Sequence, residues 1–151
     1  MTAFIPTTPV VEDQTIQNDG WFPDLSISAM QAETGLGSVF GAERITAAIR
    51  AAMIEINAVL ATWRAERDAD DLAAVPATMY GDISEKVILY RTAVYARARA
   101  QLLDTTRDYD STKDGHDRAD ALEATADDYM RQSNEAVSRL MGRPRMVVEL
   151  I

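Results

Sequence analysis

The chain has 151 residues, a formal net charge of −9 from 24 acidic and 15 basic residues, a single histidine and no cysteine. That length suits one domain with its own core, and the acidity opposes condensation on nucleic-acid phosphates, which disfavours groove reading. Without cysteine there is no thiol nucleophile, disulfide or thiolate zinc site and no sign of an oxidising compartment, and His116 alone cannot build a histidine metal site.

The start, Met1-Thr2-Ala3-Phe4-Ile5-Pro6, lacks the basic stretch and apolar core of a secretory signal, and no apolar run approaches the roughly 18 residues that span a membrane. A chain made and held in the cytoplasm, with no membrane partner, is the expectation. Residues 1–20 carry Pro6, Pro9 and Gly20 without a sustained period, which predicts an extended N-terminal arm. Trp21, Phe22, Pro23 and Leu25 then form an aromatic clamp, either capping the core or contacting a neighbouring subunit. A short helix over Ser26–Thr34 follows, closed by Gly35 and Gly37. The run Gly35 to Gly41 has the glycine density of a phosphate loop but lacks the lysine and the preceding strand, so it reads as a hinge.

From Gly41 to about Arg67, Ile45, Ile49, Ala52, Met53, Ile56, Val59, Leu60 and Trp63 recur at steps of three and four, predicting one amphipathic helix of roughly 40 Å at 1.5 Å per residue. A loop from Asp68 to Gly81 contains Pro76. The next helix starts where Asp82 or Ser84 can cap it and runs to about Asp108, with Val87, Tyr90, Val94, Ala98 and Leu102 on one face and Ile88 and Tyr95 widening it. Its alanine content makes it the central helix. Its cations, Lys86, Arg91, Arg97 and Arg99, need acidic neighbours, within the subunit or across an interface. Tyr90, Arg91, Tyr95, Arg97 and Arg99 interleave aromatics with cations, a pattern that suits a protein interface better than single-stranded nucleic acid in so acidic a chain.

The third long helix spans about Gly115 to Met141, with Ala119, Leu122, Ala126, Tyr129, Met130, Ser133, Val137, Leu140 and Met141 on its seam. Around its start lie nine acids (Asp104, Asp108, Asp110, Asp114, Asp117, Asp120, Glu123, Asp127, Asp128) against three bases (Arg107, Lys113, Arg118). The stretch Asp108 to Gly115 imitates a calcium loop, but that register puts Ala121 where the bidentate glutamate belongs, so a capped turn between helices is the reading. No Glu-x-x-His exists for a di-metal bundle, and His116 among acids reads as a solvated imidazole. The methionines read as core filler. Gly142 suits the left-handed position after a helix end and Pro144 stops continuation. Arg143 and Arg145 then precede a β-prone tail of Met146, Val147, Val148, Glu149, Leu150 and Ile151. The fold class is therefore all-α: a small antiparallel bundle of three long helices plus a short N-terminal helix. Its parts are an arm over 1–20, a helical domain over 21–142 and a docking tail over 143–151.

Five stretches in this order resemble the head completion/stabilisation (GPL) family of contractile-tailed bacteriophages. They are Asn18-Asp19-Gly20-Trp21-Phe22-Pro23-Asp24, the segment Ile56 to Arg64, the segment Leu89 to Tyr95, Arg107-Asp108-Tyr109-Asp110-Ser111-Thr112, and Gly142-Arg143-Pro144-Arg145 with Val148-Glu149-Leu150-Ile151. The resemblance implies a structural protein without enzymatic activity or cofactor, resident in the virion at the head-tail neck. It implies a homo-oligomeric ring, a dodecamer matched to the portal protein, that meets tail-side or neck connector proteins while packaged DNA passes through without sequence-specific binding. Portal docking is expected of Arg143, Arg145, Met146, Val147, Val148, Leu150 and Ile151. Subunit contacts are expected of Trp21, Phe22, Tyr90, Arg91, Tyr95, Arg97, Arg99, Asp108 and Asp110. The competing class is an acidic helical adaptor or DNA mimic that binds a basic partner through the acid row. A calcium-regulated helical protein is a distant third.

Overall fold

A computed structural model describes residues 14–37, 39–107 and 113–143, with the backbone alone at 107 and over 113–124. The chain is mostly helical, and two short antiparallel strand pairs amend the all-α expectation. Strand β1 (Thr15–Ile16) pairs with β2 (Leu25–Ser26), and β3 (Met79–Tyr80) pairs with β4 (Ile83–Ser84). The helices are α1 (Ile27–Thr34), α2 (Ala42–Ala65), α3 (Glu85–Arg107) and α4 (Lys113–Leu140). A 3-10 turn, Leu72–Ala74, interrupts the connection between α2 and α3.

Local chemistry sets the ends of these elements. Ser26 caps α1 by accepting from the Ala29 N–H at 3.1 Å, and Gly35 closes it at φ 64°, a left-handed conformation that a side chain would strain. Of the two caps considered for α3, Ser84 takes the role, accepting from the Lys86 N–H at 3.2 Å. Asp82 lies in the turn of the β3–β4 hairpin instead, following Gly81 at φ 66°. The loop expected over Asp68–Gly81 thus holds the first half of a hairpin, a feature that two-residue strands leave no periodicity to announce.

Antiparallel packing follows from the side-chain bonds between helices. Asn57 of α2 meets Tyr90 of α3, and Arg44 meets Thr105 at the other end. Lys86 of α3 reaches the Leu140 carbonyl of α4, and Ser133 donates to the Ala93 carbonyl at 2.7 Å in the interior. Helix α3 is therefore the middle member, and its small residues Ala93, Ala96, Ala98 and Ala100 are buried, which lets both neighbours approach. Tyr95 is buried as its place on the widened face suggests, but Ile88 is 37% exposed. In α2, Ile45, Ile49, Ala52, Met53, Ile56, Leu60 and Trp63 face the core, whereas Val59 lies outside at 53% exposure.

Residues 1–13 of the expected N-terminal arm lie outside the described residues, and its inner end is packed. Ile16 is buried in the core and Asn18 is bonded to two helices, so residues from Thr15 onward belong to the packed unit. A short strand pair and a polar turn carry no hydrophobic period, which is why that segment reads as an arm.

Candidate interaction surfaces

The densest polar construction joins the N-terminal segment to α2 and α3. The Asn18 Nδ2 donates to the Tyr90 hydroxyl at 2.8 Å, that hydroxyl donates to Asn57 Oδ1 at 2.6 Å, and Asn57 Nδ2 donates back to Asn18 Oδ1 at 2.9 Å. The three groups close a ring in which each donor has an acceptor, the condition under which burying polar groups is tolerated. Burial pushes the Tyr90 hydroxyl well above the usual phenol range, although the bonds to Asn18 and Asn57 oppose that shift. The group stays neutral and keeps its proton to donate.

Asp19 continues the clasp. Its Oδ1 accepts from the Trp21 and Phe22 N–H groups, both at 3.0 Å, and its Oδ2 meets Arg64 at 2.6 Å. Partial burial alone would raise its carboxyl, but the two backbone bonds and Arg64 outweigh it and hold the group below its ordinary 3.8. The Arg64 guanidinium also lies over the Trp21 and Phe22 rings, 4.9 and 5.6 Å from their centroids. Trp21 donates its indole N–H to the Ala69 carbonyl, and Phe22 stacks on Tyr90 at 4.8 Å with an 11° interplanar angle.

This placement puts the aromatic clamp in the core of the subunit. Trp21, Phe22, Tyr90 and Tyr95 are at most 8% exposed, so these candidates for subunit contact have their rings committed to the subunit's own core. Tyr95 also accepts from the Ser26 N–H, and burial raises its hydroxyl. The cationic row of α3 is answered largely within the chain as well. Arg91 pairs with Glu33 of α1, and Arg97 pairs with Glu55 of α2 at 2.6 Å while its other nitrogens reach Ser133 and Asn134 of α4. Arg99 lies over the Tyr129 ring at 4.6 Å, with two buried nitrogens, Nε and Nη1, that have no acceptor among the described residues. Asp108 and Asp110 lie outside the described residues, as do Arg145, Met146, Val147, Val148, Leu150 and Ile151. So do most of the calcium-like loop and the side chains of much of the acid row. Among the described residues no group of three or more acids and histidines is placed to hold a metal ion.

Among the described residues two surfaces are apolar and exposed, and neither is apparent in the sequence as a site. The first is the outer side of α2, where Ala47, Ala51, Ile54, Ala58, Ala61 and Ala65 follow steps of four and three opposite the core face. All are exposed except the half-buried Ala51, and Ile54 is 71% accessible. With apolar residues on both sides, α2 is long and apolar enough to cross a membrane by length and composition. That corrects the expectation that no stretch approaches this length; Arg50 and Glu55 interrupt the run without changing its overall character. The second is the β3–β4 hairpin, where Met79, Tyr80 and Ile83 are 55%, 60% and 37% exposed.

The described chain leaves the bundle beside that hairpin. Helix α4 ends with Gly142 at φ 74°, the Gly142 N–H on the Arg139 carbonyl and the Arg143 N–H on the Ser138 carbonyl, the paired bonds of a Schellman cap. The last helical carbonyl, Leu140, accepts from Lys86 Nζ at 2.6 Å, and Lys86 lies two residues past the hairpin's final residue. Arg143 is exposed there.

Residues 16–151 match the family model described as phage head completion protein (GPL). The chain is 33% identical over 153 aligned residues to the head completion/stabilization protein of Escherichia phage P2, covering 99% of this chain and 90% of that one. No solved structure matches it. The family match begins at Ile16, within β1.

Proposed function

Because the chain belongs to the phage head completion protein (GPL) family, we propose that it is a structural virion protein that assembles as a ring on the portal vertex of the DNA-filled head and forms the head-to-tail connector interface. The observation that carries this reading is the division of the surface. Charged and aromatic side chains of the central helix are engaged within the subunit, while the outer face of α2 and one end of the bundle are left apolar. Exposed apolar faces rimmed by polar residues mark association surfaces. The small side chains of α2 suit close contact between side-by-side subunits, and a net charge of −9 suits a channel through which DNA passes without adhering.

In this reading Arg143 and Arg145 steer the tail, and Met146, Val147, Val148, Leu150 and Ile151 dock on the portal, adding a strand to an exposed edge. The subunit sits at the virion neck and presents its opposite side to tail-side connector proteins. Removing residues 143–151 is expected to leave the far-ultraviolet circular dichroism unchanged and to abolish co-sedimentation with the cognate portal; normal attachment by the shortened chain would refute the docking role. Light scattering of the protein with and without portal tests the ring. A particle that stays monomeric in both cases would favour the acidic adaptor.

A further inference from the structure

We infer that copies of this chain join nose to tail, the β3–β4 hairpin of one subunit entering a groove between α2 and α3 of the next. This deepens the ring reading and rests on it, since it names the two surfaces through which subunits meet. The groove, about 230 Å³, lies between the first half of α2 and the last turns of α3. Ala47, Ala48 and Ala51 carry only methyl groups there, and Leu102 is buried beneath them, so the inner wall is apolar. A cavity of about 150 Å³ holds a benzene ring, so this groove has room for one aromatic or branched side chain.

The hairpin offers such side chains. Tyr80 and Ile83 are paired across its two strands, so they share one face, and they are 60% and 37% exposed. No subunit can serve itself: along α3, about 26 Å separate Glu85, at the base of the hairpin, from Leu102 in the groove. The two surfaces differ and sit toward opposite ends of the bundle. Contact between them is therefore heterologous, which closes a ring when the rotation permits, whereas a self-matching patch stops at two copies.

Charge selects a second copy as the occupant. Between Thr78 and Ser84 the only charged residue is Asp82, exposed in the turn. Arg44 is the one charged side chain among the groove's described lining residues. Its guanidinium rests over the Phe40 ring and donates to the Thr105 hydroxyl, and neither Arg44 nor Asp82 has an ion-pair partner among the described residues. Opposite charges beside matching apolar surfaces fix the register of a contact. With Tyr80 in the groove, Asp82 reaches the rim where Arg44 stands.

The test is molar mass by light scattering of the purified full chain without portal, over a concentration series. Tyr80→Ser with Ile83→Ser removes the inserting side chains, and Ala47→Glu obstructs the groove; all three positions are exposed, so the fold is kept, which circular dichroism checks. The unmodified chain is expected to grow past two copies, and each variant alone to self-associate about tenfold more weakly. An equimolar mixture of the two variants is expected to form pairs and stop there, because the intact hairpin of one meets the intact groove of the other. A mixture no larger than its components would overturn the proposal, as would an unmodified chain that stays monomeric throughout or variants that associate as it does. Portal attachment, read separately by co-sedimentation, keeps the two readings apart: attachment without pairing strikes this contact alone, and pairing without attachment strikes the virion role alone.

Discussion

The two strand pairs have the same size and opposite fates. Strands β1 and β2 precede α1 and are absorbed: Ile16 and Leu25 are buried, the Ser26 N–H is taken by the Tyr95 hydroxyl, and the turn between them holds the Asn18 ring and the Asp19 clasp. Strands β3 and β4 precede α3 and protrude, with Met79, Tyr80 and Ile83 in solvent. Two residues per strand cannot be stable alone, so each pair takes its standing from what lies against it. The first has aromatic rings and satisfied amides, and among the described residues the second has only the start of a helix.

Removing what holds the first pair should have the largest effect. Phe22→Ala, which empties the space between Trp21 and Tyr90, is expected to lower unfolding free energy by about 3–5 kcal/mol in urea titration. A loss below about 1 kcal/mol would place the ring outside the cooperative core. Tyr90→Phe keeps the stack and breaks the hydrogen-bonded ring, leaving Asn18 Nδ2 one acceptor fewer and Asn57 Oδ1 without its donor, at a cost of about 1–3 kcal/mol. Asn57→Ala should not add fully to it, because both changes break one closed circuit.

A smaller effect belongs to Asp19. Its folded carboxyl lies below the ordinary 3.8, so the stabilisation it gives is complete above that value and is lost as pH falls through the folded one. Asp19→Asn should therefore show a shallower loss of stability on acidification below pH 3.8 than the unmodified chain, measured by urea midpoints across that range. The smallest effect is expected at the second pair: Tyr80→Ser with Ile83→Ser should change stability by no more than about 0.5 kcal/mol each, since neither ring nor side chain is buried. A large loss there would mean that the hairpin is as integrated as the clasp, and the contrast would collapse.

Much of this arrangement was legible in the residues. The periodicity of α2, the alanine-rich centre of α3 and the seam of α4 gave the helices, and Gly142 gave the turn that ends the last one. Ile16 and Asn18 carry no sign of their packing in the sequence, because a polar ring closed with residues 39 and 72 positions away leaves no local signature. The same holds for Arg91 and Arg97: sequence established that acids must answer them, but only packing selects Glu33 and Glu55 over the acid row near α4. The hairpin went unseen because its strands are shorter than one period of alternation repeated twice. The bare side of α2 went unseen because alanine is equally at home in a core and on a helix surface, so composition cannot tell which side will be covered.

Asn18 reaches Tyr90 across 72 residues, and this separation has a bearing on synthesis. The N-terminal segment emerges from the ribosome first, yet its amide ring cannot close until α3 has been made. At about 5–20 residues per second that interval is roughly 4–14 s, during which Phe22 lacks the Tyr90 ring it stacks on. The clasp is therefore a late event of biogenesis laid down in early sequence, and Asp19, which draws on the Trp21 and Phe22 amides only two and three residues away, can preshape the turn while the chain is still growing.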